Sequence, residues 1–239
     1  LHSRVIFEDG VYRPLFVLYE NEDAMMTSSQ AVLDTIIQDG AVAGMRGAFP
    51  PDVALNVCGV LLEEGIHTFE FTMNSEQPIE SMQAVKAEFG DEVFTGMGTV
   101  LDVETAKRVM DAGADFVVSP VFQPDVVQTI LDQDILMAPG VATPTEAITA
   151  WNMGVKLLKV FPIGALGIDY FKAMFGPLNH MRYMCNGAMT DENARQFIQA
   201  GAVAAGMGGW LTGDGSWTDS KLRSRARVLL NAIESARSE

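Results

Sequence analysis

The chain has 239 residues, 48% hydrophobic and 20% charged, with a formal net charge of -15. That length holds one large core or two small ones, and the composition is that of an ordinary globular domain. The acidic balance excludes non-specific nucleic-acid binding and repels anionic ligands at long range, so an anion site here has to be locally positive or built from backbone N–H groups.

Residues 1–26 carry two short β-like runs, at 4–7 and 15–19, around Asp9-Gly10, and read as an appendage of weak structure. The chain opens with Leu1, so part of this stretch is expected to be a remnant or a truncated start, with Met25 and Met26 as candidate native starts. From residue 27 the pattern is regular. Residues 27–39 form an amphipathic helix with Thr27 or Ser28 as N-cap, closed by Gly40. A strand is expected at 41–47 and a helix at 50–64, with prolines at its start and Gly65 at its end. Strand 67–73 precedes helix 78–89, strand 93–100 precedes helix 102–112, and strand 115–119 precedes helix 124–133. Strand 136–141 precedes helix 144–153, and strand 155–161 precedes a short helix at 169–175. Strand 182–186 precedes helix 191–200, strand 202–207 follows, and a last helix covers 219–236. Eight strands, each followed by a helix, imply parallel pairing, right-handed crossovers and a closed (β/α)8 barrel as a single domain over 27–239. An open doubly wound sheet is the alternative. It usually has fewer strands and a glycine fingerprint after the first, whereas Gly44-Met45-Arg46-Gly47 puts an arginine there.

In such a barrel the C-terminal strand ends share one rim, so residues distant in sequence meet there. Strand parity places Val155, Leu157, Lys159 and Phe161 on one face, with Lys156 opposite. An inward lysine at a strand's C-terminal end loses proton affinity on desolvation and becomes a nucleophile toward carbonyls, forming a Schiff base. A strand-end lysine also snorkels to water or pairs with a carboxylate in many proteins. In His67-Thr68-Phe69-Glu70-Phe71-Thr72-Met73, Thr68, Glu70 and Thr72 point inside. A carboxylate there needs a partner such as Lys159 or Arg46, and that pairing is compatible with general-base work. Arg46, ending the first strand, suits a bidentate contact to a substrate carboxylate, or else a helix-capping place on the surface. Thr99 ends the third strand with Thr95 and Met97 on its face, and is a hydrogen-bond donor for a bound carboxylate. Ser119-Pro120, Pro139-Gly140 and Asn186-Gly187 end three more strands, and Gly206-Met207-Gly208-Gly209 ends the last, where barrels often hold phosphate on backbone N–H groups.

Cys58 and Cys185 lie far apart without metal-ligand spacing and read as free thiols in a reducing compartment. No apolar run reaches membrane-spanning length, and residues 1–20 lack signal-peptide order. The expected location is the cytoplasm, with no membrane or nucleic-acid partner.

These segments together resemble the 2-keto-3-deoxy-6-phosphogluconate (KDPG) and 2-keto-4-hydroxyglutarate (KHG) aldolase family, including its galactonate-specific members. The resemblance runs over 41–211. It is carried by Met45-Arg46-Gly47, Phe69-Glu70-Phe71-Thr72, Gly96-Met97-Gly98-Thr99-Val100, Val118-Ser119-Pro120, Pro139-Gly140, Leu158-Lys159-Val160-Phe161-Pro162 and Asn186-Gly187. It implies a (β/α)8 class I aldolase of carbohydrate metabolism of the Entner–Doudoroff kind. Such an enzyme is a homotrimer without metal or cofactor, and releases pyruvate and an aldehyde, glyceraldehyde 3-phosphate or glyoxylate, from a small 2-keto acid. It further implies Lys159 as the Schiff-base lysine and Glu70 as the acid/base. Arg46, Thr99, Pro120, Phe161, Asn186, Gly187, Gly208 and Gly209 are the expected substrate-binding positions.

The sequence departs from the family pattern in three places. Asn74 stands where the phosphogluconate-type members carry arginine, though the galactonate relatives also have asparagine. Asn186-Gly187-Ala188 replaces Thr/Val-Gly-Gly, and a serine of the last glycine turn is missing, Gly208-Gly209 running directly into Trp210. A phosphorylated substrate and a smaller unphosphorylated 2-keto acid therefore both stay open, as do two other readings. One is a phosphate-binding barrel isomerase or synthase, which has no need of Lys159. The other is a non-catalytic keto-acid-binding relative, which binds without turnover.

Overall fold

The computed structural model describes residues 29–238. The expected appendage at 1–26, and residues 27 and 28 of the first expected helix, lie outside the described residues. The elements follow in chain order as α1 (Ser29–Asp39), β1 (Ala41–Met45), α2 (Pro51–Glu63), β2 (Thr68–Thr72), α3 (Pro78–Phe89), β3 (Phe94–Gly98), α4 (Val103–Asp111), β4 (Phe116–Val118), α5 (Pro124–Leu131), β5 (Leu136–Ala138), β6 (Gly140–Val141) and α6 (Pro144–Asn152). They continue as β7 (Leu158–Val160), α7 (Ile163–Leu166), α8 (Ile168–Phe175), β8 (Tyr183–Asn186), α9 (Asp191–Gln199), β9 (Ala204–Met207), α10 (Gly209–Thr212) and α11 (Asp219–Ser238). No helix among the described residues is long and apolar enough to cross a membrane.

All strand pairings are parallel, in the order β5-β4-β3-β2-β1-β9-β8-β7-β6. β5 and β6 are two halves of the segment expected as one strand at 136–141. Pro139, which has no N–H to give a ladder, separates them. The first half pairs with β4 and the second with β7, so this segment joins the two ends of the order and the sheet nearly closes on itself. Eight ring positions result, as alternation of strands and helices predicts, with one of them split.

Side-chain alternation along the strands divides the core in two. Val42, Phe116, Val118, Leu136, Ala138, Leu157, Met184 and Ala204 form the barrel interior. Their neighbours of opposite parity, among them Ala43, Phe69, Met97, Val117, Leu158, Cys185 and Ala205, pack outward against the helices. Cys58 and Cys185 are buried free thiols.

α1 shuts the N-terminal end of the ring. Its buried Val32, Leu33 and Ile36 join the interior cluster. Ser29 Oγ donates to Asp134 (2.8 Å) and accepts from Lys156 Nζ (3.1 Å), both just ahead of strands β5 and β7. The other end is left open for chemistry.

Local signals set the helix limits. α6 begins with a capping box between Thr143 and Glu146, α9 with one between Thr190 and Asn193, and Asp102 caps α4 by accepting from Thr105 N at 2.7 Å. α4 stops where Gly113 takes φ +94°, a conformation that costs glycine nothing.

Two expectations about parity need correction. Val155 packs in the outer shell rather than sharing a face with Lys159, because the β7 ladder begins only at Leu158 and nothing enforces alternation before it. In β3 it is Gly96 and Gly98 that face the interior, while Met97 packs outward.

Candidate active site

Lys159 lies mid-β7, in register with Gly140 of β6 and Met184 of β8. Interior parity points its side chain into the ring near the open mouth, where it is 4% exposed. Glu70, in register with Gly44 and Gly96, projects inward from β2 and is also 4% exposed. In the strand order β2 and β7 stand on opposite sides of the ring, so the two groups face one another across its interior. They line the same cavity, of about 260 Å³. Among the described residues no ion pair within 4.0 Å joins them.

Burial pushes the Lys159 amine below the ordinary lysine range. The Glu70 carboxylate opposes that shift and the Arg46 guanidinium adds to it. Nζ also lies 5.2 Å from the centre of the Phe161 ring, which forms one wall of the cavity. Glycines give the Glu70 carboxylate its place. A Cβ on Gly98 would lie 1.9 Å from Oε1, so the bare backbone of β3 accommodates it, and one on Gly44 would only touch Oε2 at 4.0 Å.

Of the positions expected from the sequence, Arg46, Glu70, Lys159, Phe161, Asn186, Gly187 and Gly208 line this cavity. Arg46 is exposed at the mouth. Its loop is held by Ser75 Oγ, which accepts from Gly47 N at 3.0 Å, and by Glu76 N, which donates to Gly47 O at 2.9 Å. Thr99, Pro120 and Gly209 do not line it. Thr99 follows the inward-facing Gly98 and takes φ +61°. Pro120 packs its backbone against Gly140, where a Cβ would lie 2.2 Å from the Pro120 carbonyl carbon. Gly209 opens α10.

The cavity also takes in Gly206 and Met207 of the expected phosphate turn, Thr72 of the inward face of β2, and Gly44, Ala188 and Met189, none of which was singled out as a binding position. For Gly44 and Gly206 the available signal was their inward parity, two residues on from Val42 and Ala204 respectively.

A ring of parallel strands with a dry amine facing a carboxylate at its C-terminal mouth defines a barrel enzyme equipped for carbonyl chemistry. The chain belongs to the KDPG and KHG aldolase family, whose model matches residues 50–224, and is therefore a lyase. It is 34% identical over 168 residues to the 2-dehydro-3-deoxy-6-phosphogalactonate aldolase of Escherichia coli (strain K12), which covers 70% of this chain and 82% of that one. Among solved structures, a native KDPGal structure superposes with a TM-score of 0.79 at 31% identity, covering 83% of this chain and 96% of the other. A cube-shaped protein cage designed by fusing symmetric oligomeric domains superposes with a TM-score of 0.78 at 31% identity, covering 83% of this chain and 73% of the other.

Proposed function

We propose that this aldolase works through a Schiff base on Lys159, with Glu70 moving the protons. It would act on a 2-keto-3-deoxy-6-phospho-aldonate or a 2-keto-4-hydroxyglutarate-type acid. The observation that carries the reading is the Lys159 amine, buried inside the ring and held below its ordinary pKa in the cavity it shares with Glu70. The neutral amine attacks the keto carbon of the substrate. Glu70, through a water, protonates the departing hydroxyl of the carbinolamine, and water leaves as the protonated imine forms. The imine accepts the electron pair of the scissile bond. Glu70 takes the proton from the hydroxyl next to that bond, the bond breaks, and an aldehyde leaves. The remaining enamine is protonated on carbon and hydrolysed, which releases pyruvate and restores the amine.

Arg46, at the mouth, is assigned to the carboxylate of the keto acid, and the backbone amides around Gly187 and Gly208 to a phosphate where the substrate carries one. Thr99 takes no part in this assignment, since its side chain does not line the cavity. The chemistry calls for no metal or cofactor. We also read the protein as a cytoplasmic homotrimer. The family resemblance supports the trimer, and so does the likeness to a cage designed from symmetric oligomeric domains.

Borohydride reduction in the presence of pyruvate, followed by peptide mass mapping, tests the reading. A pyruvate-derived adduct is expected on the peptide carrying Lys159, and none with Lys159→Ala. An adduct on another lysine, or aldol cleavage that survives Lys159→Ala, would overturn it.

A further inference from the structure

Arg46 sits one residue past β1, at the apex of a short arc from Met45 to Gly47. Gly47 takes φ +105°, so the chain turns at once, and a glycine does not hold such a turn by itself. The turn that follows β2 holds it. Gly47 N donates to Ser75 Oγ at 3.0 Å, the Ser75 and Thr72 hydroxyl oxygens are 2.7 Å apart, and Thr72 Oγ1 donates to Met45 O at 3.3 Å. Each hydroxyl has one proton to give. With the Ser75 proton on Thr72 and the Thr72 proton on Met45 O, a chain of three hydrogen bonds runs from Gly47 N to Met45 O and leaves no member unpaired. Ser75 Oγ also lies 3.4 Å from Met45 O, the longest contact of the set. Glu76 N adds a tie to Gly47 O at 2.9 Å. Both peptide groups that flank Arg46 are thus fastened, while its own side chain is exposed at the mouth.

We propose that Ser75 is a positioning residue: through Thr72 its hydroxyl clamps the backbone on both sides of Arg46, so that the guanidinium stands ready for the carboxylate of the keto acid. The inference rests on the assignment of Arg46 to that carboxylate and goes beyond it. An arginine loses rotamer freedom when its fork is fixed on a carboxylate. A loose backbone beneath it would add its own ordering cost at the moment of binding, and a clamp made in advance removes that cost. The clamp also sets Arg46 against Glu70, because Ser75 stands three residues beyond the end of the strand that bears Glu70. Thr72 lines the cavity and Ser75 does not, so Ser75 is the position that separates clamping from contact with a ligand.

The test follows borohydride trapping of pyruvate as a function of pyruvate concentration, at a pH where trapping has levelled off. Ser75→Ala is expected to raise the half-saturating concentration roughly 3- to 10-fold, the range of one hydrogen bond, and to change the plateau rate by less than about twofold. Ser75→Thr, which keeps a hydroxyl on the same carbon, is expected to recover most of that loss. In an Arg46→Gln background Ser75→Ala is expected to add nothing, since the group that it positions is gone. The pH midpoint of trapping should move up in Ser75→Ala, as in Arg46→Gln, and by no more than it does there. A half-saturating concentration does not depend on the amount of active protein, so poorer folding of a variant does not mimic the effect. An unchanged half-saturation in Ser75→Ala, an equal loss in Ser75→Thr, or the same penalty with and without Arg46 would overturn the proposal. An Arg46→Gln protein with wild-type half-saturation would instead overturn the carboxylate assignment, and absence of the adduct the Schiff-base reading, and this proposal with either.

Discussion

The Lys159 amine reacts only in its neutral form, so its environment sets the pH at which the site switches on. Burial and Arg46 lower its pKa from 10.5, and Glu70 opposes them. The neutral fraction therefore rises at lower pH than for an exposed lysine. The rate of borohydride trapping with pyruvate should climb with pH and level off below 10.5. Glu70→Gln removes the group that supports the charged form, so the midpoint should move further down, whereas Arg46→Gln should move it up. A midpoint that ignores both substitutions would refute this electrostatic account. Lys159 and Glu70 were legible in the sequence because each is a charged residue flanked on both sides by apolar ones, at an inward position of a strand. Gly44 was not, since a glycine has no side chain to mark its face, and Gly206 was legible only as part of the glycine turn that ends the last strand. Thr99 follows Gly98 past the end of β3 with a positive φ and does not line the cavity, and strand parity does not extend to it. The hydroxyl chain from Ser75 to Met45 O depends on how two loops meet, which no local pattern records.

At the scale of the element, α1 closes the end of the ring that has no chemistry. Leu33 is 1% exposed within the interior cluster, where truncation leaves a void walled by strand residues that cannot collapse. Leu33→Ala is expected to cost about 2–5 kcal/mol in a urea melt. A loss under about 1 kcal/mol would mean that the helix is dispensable to closure. This helix was legible from its 3.6-residue apolar spacing, as were the other long helices, and their ends were set by proline, capping side chains and glycine. α7 and α10, four residues each, are too short to show any period and were not expected. The strands were found but drawn too long. The apolar run 155–161 shortens to Leu158–Val160, because burial extends past the residues that share ladder hydrogen bonds. Pro139-Gly140 was legible as a turn signal. That the turn falls inside a strand, giving each half a different neighbour, depends on how the ring meets itself.

Over the whole molecule, a net charge of -15 surrounds a mouth marked by Arg46. Anionic substrates are repelled at long range and attracted only near the site. Raising ionic strength from about 10 to 150 mM shortens the screening length from roughly 30 to 8 Å, which removes the distant repulsion first. The kcat/KM of an anionic 2-keto acid should accordingly rise severalfold over that range, while that of neutral glyceraldehyde with saturating pyruvate should stay flat. A fall for the anion would mean that the local cations govern its approach. The split strand has a consequence of its own. Lys159 N donates to Pro139 O at 3.0 Å and Phe161 N to Val141 O at 3.1 Å, so the strand bearing the amine hangs from the joint at which a proline interrupts the ring. Any breathing at that joint shifts the nucleophile before it disturbs a helix, and chemical competence becomes the most sensitive gauge of whether the circle is shut.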